Sequence, residues 1–309
     1  MGADRAGLDR AVTHTVPIGH SNVVVVGVDG SQFSLRAVRW AAEDAVRRGA
    51  ELRLVHAELP LPAGVPDVSK LARSALHDEA MDWMQEAAAT AKETAPGLDV
   101  QTHVEVTTAA VLLGQESETA ALVVVGARGR GGFEGLLLGS VAVVLSSSSW
   151  CPVVIMRGDD PVPGRSVVVG VHGAPEDWLV LDRAFEEAAA RATSLVAVHA
   201  RKPPFESAEL AESVGIVWSG LDAVRQSLVA QRLASCADRH PGVRVECHVV
   251  HGSAAGRLVE LSKNAALLVV GSHGCAGATS HTVVQYARCP VLLVRPGLSE
   301  QIEQVHRAV

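Results

Sequence analysis

Two stretches of this chain are one stretch written twice. Residues 26–57, VGVDGSQFSLRAVRWAAEDAVRRGAELRLVHA, align without a gap on residues 169–200, VGVHGAPEDWLVLDRAFEEAAARATSLVAVHA, at an offset of 143. Asp29-Gly30 meets His172-Gly173, and His56 meets His199. Downstream, ALVVVGARG is answered by ALLVVGSHG, and CPVVIMR at Cys151 by CPVLLVR at Cys289. A repeat on this scale means one structural unit used twice, so the fold must be built from two copies. A length of 309 residues suits two ordinary domains. The polar, Pro/Gly-rich GDDPVPG between the copies marks the boundary. The expected division is a tail over 1–21, a first domain over 22–158, a linker over 159–164, a second domain over 165–297 and a tail over 298–309.

Each copy alternates strand and helix. NVVVVGVD is a short continuous apolar run, as in a strand covered on both faces. Ser31 or Ser34 can cap a following helix whose apolar positions Leu35, Val38, Ala42 and Val46 recur at helical spacing. LRLVHA reads as a second strand, and a longer helix follows with Leu76, Ala80, Trp83 and Ala87 on one face. VQTHVEV alternates as a third strand, a short helix leads to ALVVVG, and a glycine loop and a helix from Ser140 precede PVVIM. Alternating strands and helices, with strands apolar throughout, predict an α/β fold with a parallel sheet in each copy. PVVIM and PVLLV are candidate edge strands whose apolar character requires cover.

Composition narrows the function. The formal net charge is −7, without the basic face of a nucleic-acid binder. The opening MGADRAGLDRAVTHTVPIGHSN has no apolar signal-peptide core, and no run approaches the ~18–20 apolar residues of a membrane span. Five cysteines without a C-x-x-C pair read as reduced thiols. The expectation is a cytoplasmic protein with no nucleic-acid partner and no membrane insertion.

The glycine loop carries the chemistry. Gly126, Gly129, Gly131, Gly132, Gly135 and Gly139 strip side chains from a loop that follows the fourth strand and ends where a helix begins at Ser140. In an open α/β sheet, ligands bind beyond the carboxyl ends of the strands. The free N–H groups and dipole of the new helix favour an anion, and Arg128 and Arg130 add positive charge. This is a phosphate cradle. Neither G-x-x-x-x-G-K-[ST] nor G-x-G-x-x-G occurs in this loop. What occurs is Gly126-x2-Gly129-x9-Gly139-Ser140.

That spacing, together with VGVDGS on the first strand, LVHA ending the second and CPVVIMR as the last, closely resembles the universal stress protein family, in tandem over nearly the whole chain. The resemblance implies two flavodoxin-like (adenine nucleotide α hydrolase-like) domains, each a five-stranded parallel sheet of order 3-2-1-4-5. It implies ATP, with or without Mg²⁺, as ligand. By position, Asp29 lies by the adenosine, the backbone from Val55 to Ala57 edges the adenine, and Gly126 and Gly129 approach ribose and phosphates. Gly139, Ser140 and Val141 hold the phosphates. With Gly30 and Arg130 added, the expected contact set is Asp29, Gly30, Val55, Ala57, Gly126, Gly129, Arg130, Gly139, Ser140 and Val141, and no catalytic or metal-binding residue is expected. In relatives, the last strands pair across a two-fold axis; the resemblance implies that the two domains pair this way within the chain, which leaves other surfaces for a homodimer.

The second copy departs from the pattern. His172 replaces Asp29, Ala174 replaces Ser31, and the segment from Gly274 to Cys289 is seven residues shorter than that from Gly129 to Cys151. The expectation is ATP in the first domain only, with the second domain a scaffold that has lost its aspartate and its loop. Other features read as structural: His56 and His199 in the fold, Arg47-Arg48 as a solvated helix end, and Trp40, Trp83, Trp178 and Trp218 in cores or interfaces. His248-x-x-His251 lacks a carboxylate at useful spacing for a metal. Two rivals stand beside an ATP-binding stress-response protein with at most slow hydrolysis. One is a nucleotidyl or pyrophosphate-releasing enzyme of the same broad fold, and the other is an interaction scaffold without nucleotide.

Overall fold

The computed structural model describes residues 21–60, 66–130, 137–158, 164–172, 177–201, 208–272 and 278–295. The first half runs β1 (Val23–Gly27), α1 (Gln32–Arg48), β2 (Glu51–Glu58), α2 (Pro66–Thr94), β3 (Val100–Val106), α3 (Ala109–Ser117), β4 (Leu122–Gly126), α4 (Ser140–Ser148) and β5 (Val153–Met156). The second runs β6 (Ser166–Val171), α5 (Asp177–Ala190), β7 (Leu195–Arg201), α6 (Ala208–Arg239), β8 (Val245–His251), α7 (Ala254–Ser262), β9 (Ala265–Gly271), α8 (Ala278–Tyr286) and β10 (Val291–Val294). No helix among the described residues is long and apolar enough to cross a membrane.

The ten strands form one sheet in the order β3-β2-β1-β4-β5-β10-β9-β6-β7-β8. All pairs are parallel except β5 with β10, where Val153, Val154 and Ile155 lie opposite Leu293, Leu292 and Val291. These two strands are wholly buried, so each covers the apolar edge of the other. Two helical layers enclose the sheet. Residues of α1, α2, α5 and α6 pack over one face with Val24, Val26, Leu52 and Leu267. Those of α3, α4, α7 and α8 pack over the other with Val25, Val123, Ile155 and Leu268. Continuous valine runs suit such strands because both faces are apolar.

Local chemistry sets the ends of α1. Ser31 is the N-cap, its hydroxyl accepting the Ser34 N–H at 3.1 Å. Gly49 closes the helix in the left-handed region, its N–H reaching the carbonyls of Ala45 and Val46. Leu35, Val38 and Ala42 are buried as expected, but Val46 is 56% exposed and Ala45 is buried instead. The cause is a second contact: the same helix turns Trp40, Asp44 and Arg48 toward the other half.

That contact corrects the reading of Arg47-Arg48 as a solvated helix end. The Arg48 side chain is only 11% exposed and pairs with Asp44 and with Glu187 of α5. Arg191 pairs with Glu187 and reaches Asp44 at 3.1 Å. Arg183 Nε adds a contact to Glu187 at 3.0 Å. Asp44 and Glu187, like Arg48 and Arg191, are repeat equivalents at the offset of 143. The cluster is therefore reciprocal across the pseudo-two-fold relation of the halves. Burial alone would raise the Glu187 pKa, but Arg48, Arg191 and Arg183 overcome it and hold the carboxyl well below the ordinary range.

On α2, Ala80 and Ala87 are buried as expected, together with Met84 and Ala91. Leu76 is exposed and Trp83 only half-buried, because both line a cleft rather than the core. Trp40 is in the core, Trp178 is exposed, and the Trp218 side chain lies outside the described residues.

Candidate functional site

A cleft of about 1280 Å³ opens beyond the carboxyl ends of β1, β2 and β4, bounded by α2, α3 and the start of α4. It lies where ligands of open α/β sheets bind, between neighbouring strands whose connections leave in opposite directions. Nine of the ten expected contact residues line it: Asp29, Val55, Ala57, Gly126, Gly129, Arg130, Gly139, Ser140 and Val141. Gly30 does not line it. It takes φ +71° in the turn after β1, and a Cβ there would fall 2.6 Å from the Trp83 ring. Gly131, Gly132 and Gly135 lie outside the described residues.

Asp29 ties the two walls of the cleft together. One carboxylate oxygen accepts the Ser31 N–H at 3.0 Å, and the other accepts the Arg130 N–H at 3.2 Å. A Cβ on Gly129 would lie 2.3 Å from that second oxygen. The bareness of Gly129 is thus explained first by the approach of Asp29. Gly126 is bare for another reason, since a Cβ there would come within 3.0 Å of Phe33 and the Arg128 carbonyl.

The start of α4 offers the anion site, with one correction. The Gly139 N–H donates to the Ala127 carbonyl at 2.8 Å, so it is engaged rather than free. Gly139 is the N-cap and contributes no side-chain cap bond. The N–H groups of Ser140, Val141 and Ala142 open the helix, where no intrahelical carbonyl can reach them. Two cations flank them: Arg128 stacks 4.7 Å from the Phe33 ring centre, and Arg130 lies 4.2 Å from that of Trp83 and pairs with Glu79 at 3.1 Å.

The sequence reading missed part of the wall. Trp83 lies edge-on to His56, with ring centres 5.4 Å apart, and both line the cleft. His56 Nδ1 contacts the Val28 carbonyl at 2.7 Å, so the ring also ties β2 to β1. Glu58 and His77, 2.7 Å apart, stand on the outer wall with Leu59, Leu76 and Val106. No spacing rule reports which residues of α2 hang over a cleft, because the helix passes from core to mouth along its own length.

The second half differs in kind. His172 takes the Asp29 position, and its N–H donates to Asp177 at 2.9 Å while its ring Nδ1 lies 2.8 Å from the same carboxylate. Asp177 occupies the position of Ser34 and is buried. The aspartate of the strand end is replaced by His172, and a different carboxylate stands five residues further on, at the position of Ser34. It is engaged by His172, whereas Asp29 holds the glycine turn. Gly173, Ala174, Gly274, Cys275 and Gly277 lie outside the described residues. The helix after the shortened loop, α8, begins at Ala278.

A doubly used α/β unit, with a cleft at the strand ends and a glycine turn before a helix, defines the chain as a tandem of two related α/β domains. The Universal stress protein family matches residues 21–157 and again 164–295, and the chain belongs to that family. It is 36% identical to a universal stress protein of Mycobacterium tuberculosis strain H37Rv, over 91% of this chain and 99% of that one. It is 35% identical to one from Mycolicibacterium smegmatis, over 88% of this chain and 97% of that one. The crystal structure of a universal stress protein from Archaeoglobus fulgidus DSM 4304 superposes with a TM-score of 0.66 at 18% identity, covering 90% of this chain and 97% of that one, a likeness of fold.

Proposed function

We propose that the protein is an ATP-binding universal stress protein that signals nucleotide state, with ATP held in the first half alone. The observation that carries this reading is the joining of Asp29, the Gly129–Arg130 turn and the uncapped start of α4 around one cleft. The residues present fit the ligand. Val55 and Ala57 at the end of β2 would edge the adenine, and Asp29 would stand by the adenosine. Gly126, Gly129, Arg130, Ser140 and Val141 would hold the ribose and phosphates. Arg128 and Arg130 offset phosphate charge, and the dipole of α4 adds to them. Bound ATP would supply a conformational signal rather than a covalent step, and Mg²⁺ would arrive with the nucleotide.

Three further properties of the chain belong to this proposal. The halves divide at 159–164, the chain works in the cytoplasm, and two chains form a homodimer. Because β5 and β10 already cover each other within one chain, a second copy meets other surfaces.

Isothermal titration with ATP and Mg²⁺ tests the claim. One site per chain is expected. Gly129→Glu is expected to weaken binding roughly tenfold or more, since it displaces Asp29 and obstructs the turn. Substitution of Gly274 is expected to leave the titration unchanged. Absence of binding at about 1 mM ATP overturns the reading. Phosphate release well above background would favour the enzymatic rival.

A further inference from the structure

We propose that the second half holds a ligand site of its own, which takes a small, uncharged, mostly apolar molecule bearing one hydroxyl, gripped by His199. A cleft of about 490 Å³ lies between α6 and the strands β7 and β8. Its walls include Val229, Leu233, Val245 and Val249, with Gln226 also on the wall. The volume falls within the range of roughly 300–1000 Å³ common for small-molecule pockets.

His199 supplies an independent pointer. It is 2% exposed and lines this cleft. Its Nδ1 lies 3.3 Å from the Val171 carbonyl. A carbonyl can only accept, so Nδ1 carries the proton in that bond, and in the neutral ring Nε2 is left as an acceptor. That Nε2 is buried with no partner among the described residues. Buried polar atoms are nearly always paired, so an unpaired acceptor in a cleft calls for a donor from outside the chain. A single water would leave most of the space unfilled, since the volume far exceeds a water's share of about 30 Å³.

The first half is built differently at this point. There the equivalent His56 is covered by the edge of Trp83. Counting back from Pro96-Gly97 and Pro241-Gly242, which follow α2 and α6, places Leu228 at the register of Trp83. Leu228 is 42% exposed. With leucine in place of the indole, no aromatic ring is set against the imidazole, which lines the mostly apolar cleft. That hollow calls for a flat or compact apolar body, with its one donor opposite Nε2.

The test uses the full-length protein and a matched pair of probes, 4-fluorophenol and 4-fluoroanisole, followed by fluorine NMR titration. The first donates a hydrogen bond and the second cannot. Saturable binding of the phenol is expected, with the ether weaker by roughly tenfold. His199→Phe keeps the ring volume and should remove that preference. Ala230→Trp, at an exposed position on the cleft wall, should fill the space and abolish binding of both probes, with the ATP titration unchanged. No saturable binding of the phenol up to about 10 mM overturns the proposal. So does equal affinity for the two probes, or binding that survives Ala230→Trp.

Discussion

Ala192 sits at φ 50°, in the left-handed region, where its repeat equivalent Gly49 sits at φ 60°. Both terminate the first helix of their half, a place where glycine adopts this conformation without a Cβ penalty. Ala192→Gly is therefore expected to stabilise the protein by about 0.5–1 kcal/mol, and Gly49→Ala to destabilise it by a similar amount, read from urea midpoints at constant slope. Cysteine behaviour is set at the same scale. Burial pushes the thiols of Cys151 and Cys289 up to about 12, so both stay protonated near neutrality. Iodoacetamide at pH 8 should label the exposed Cys247 in the native protein and reach Cys151 and Cys289 only on unfolding, as read by mass spectrometry. The glycine spacing marked Gly129 as a bare position in the loop. It did not show that the intruding atom is an oxygen of Asp29, because residues 100 apart in sequence announce no contact until the sheet brings them together.

The helices α1 and α5 meet through four ions that the sequence presents as two ordinary charged helix ends. Periodicity locates a helix and its apolar stripe, but a charged stripe looks the same facing water or facing a symmetry-related copy of itself. Removing one partner strands the others without water. Asp44→Ala should therefore cost about 3–5 kcal/mol in chemical denaturation, well beyond a surface charge deletion. The pH dependence follows from the lowered pKa of Glu187. A carboxyl held below its ordinary value of 4.5 contributes stability above that value, and the contribution fades as pH falls toward its depressed folded value. Glu187→Gln should be clearly destabilised near pH 7, and the gap to the parent protein should narrow between about pH 5 and pH 3. A gap that stays constant across that range would contradict the ion cluster.

At the scale of the molecule, duplication and strand alternation made the α/β sheet of each half readable, and the apolar last strands required a cover. Why the second half differs was less legible. A shorter loop and a lost aspartate were visible, whereas the pairing of His172 with Asp177 and the hollow beside His199 depend on packing that no single stretch encodes. The β5–β10 seam makes a further prediction. Residues 21–157 expressed alone would expose the β5 edge with Val153, Val154 and Ile155, and should self-associate in a concentration-dependent manner by light scattering, while the full chain leaves that edge covered. The same seam also reverses direction. All strands of one half run one way and all strands of the other run the opposite way, so the carboxyl ends of β1, β2 and β4 and those of β6, β7 and β9 lie at opposite margins of the sheet. Molecules bound at the two margins cannot touch, share an entrance or compete for it. Any influence of one on the other must be transmitted mechanically, through the strands of the seam and the ion cluster behind it.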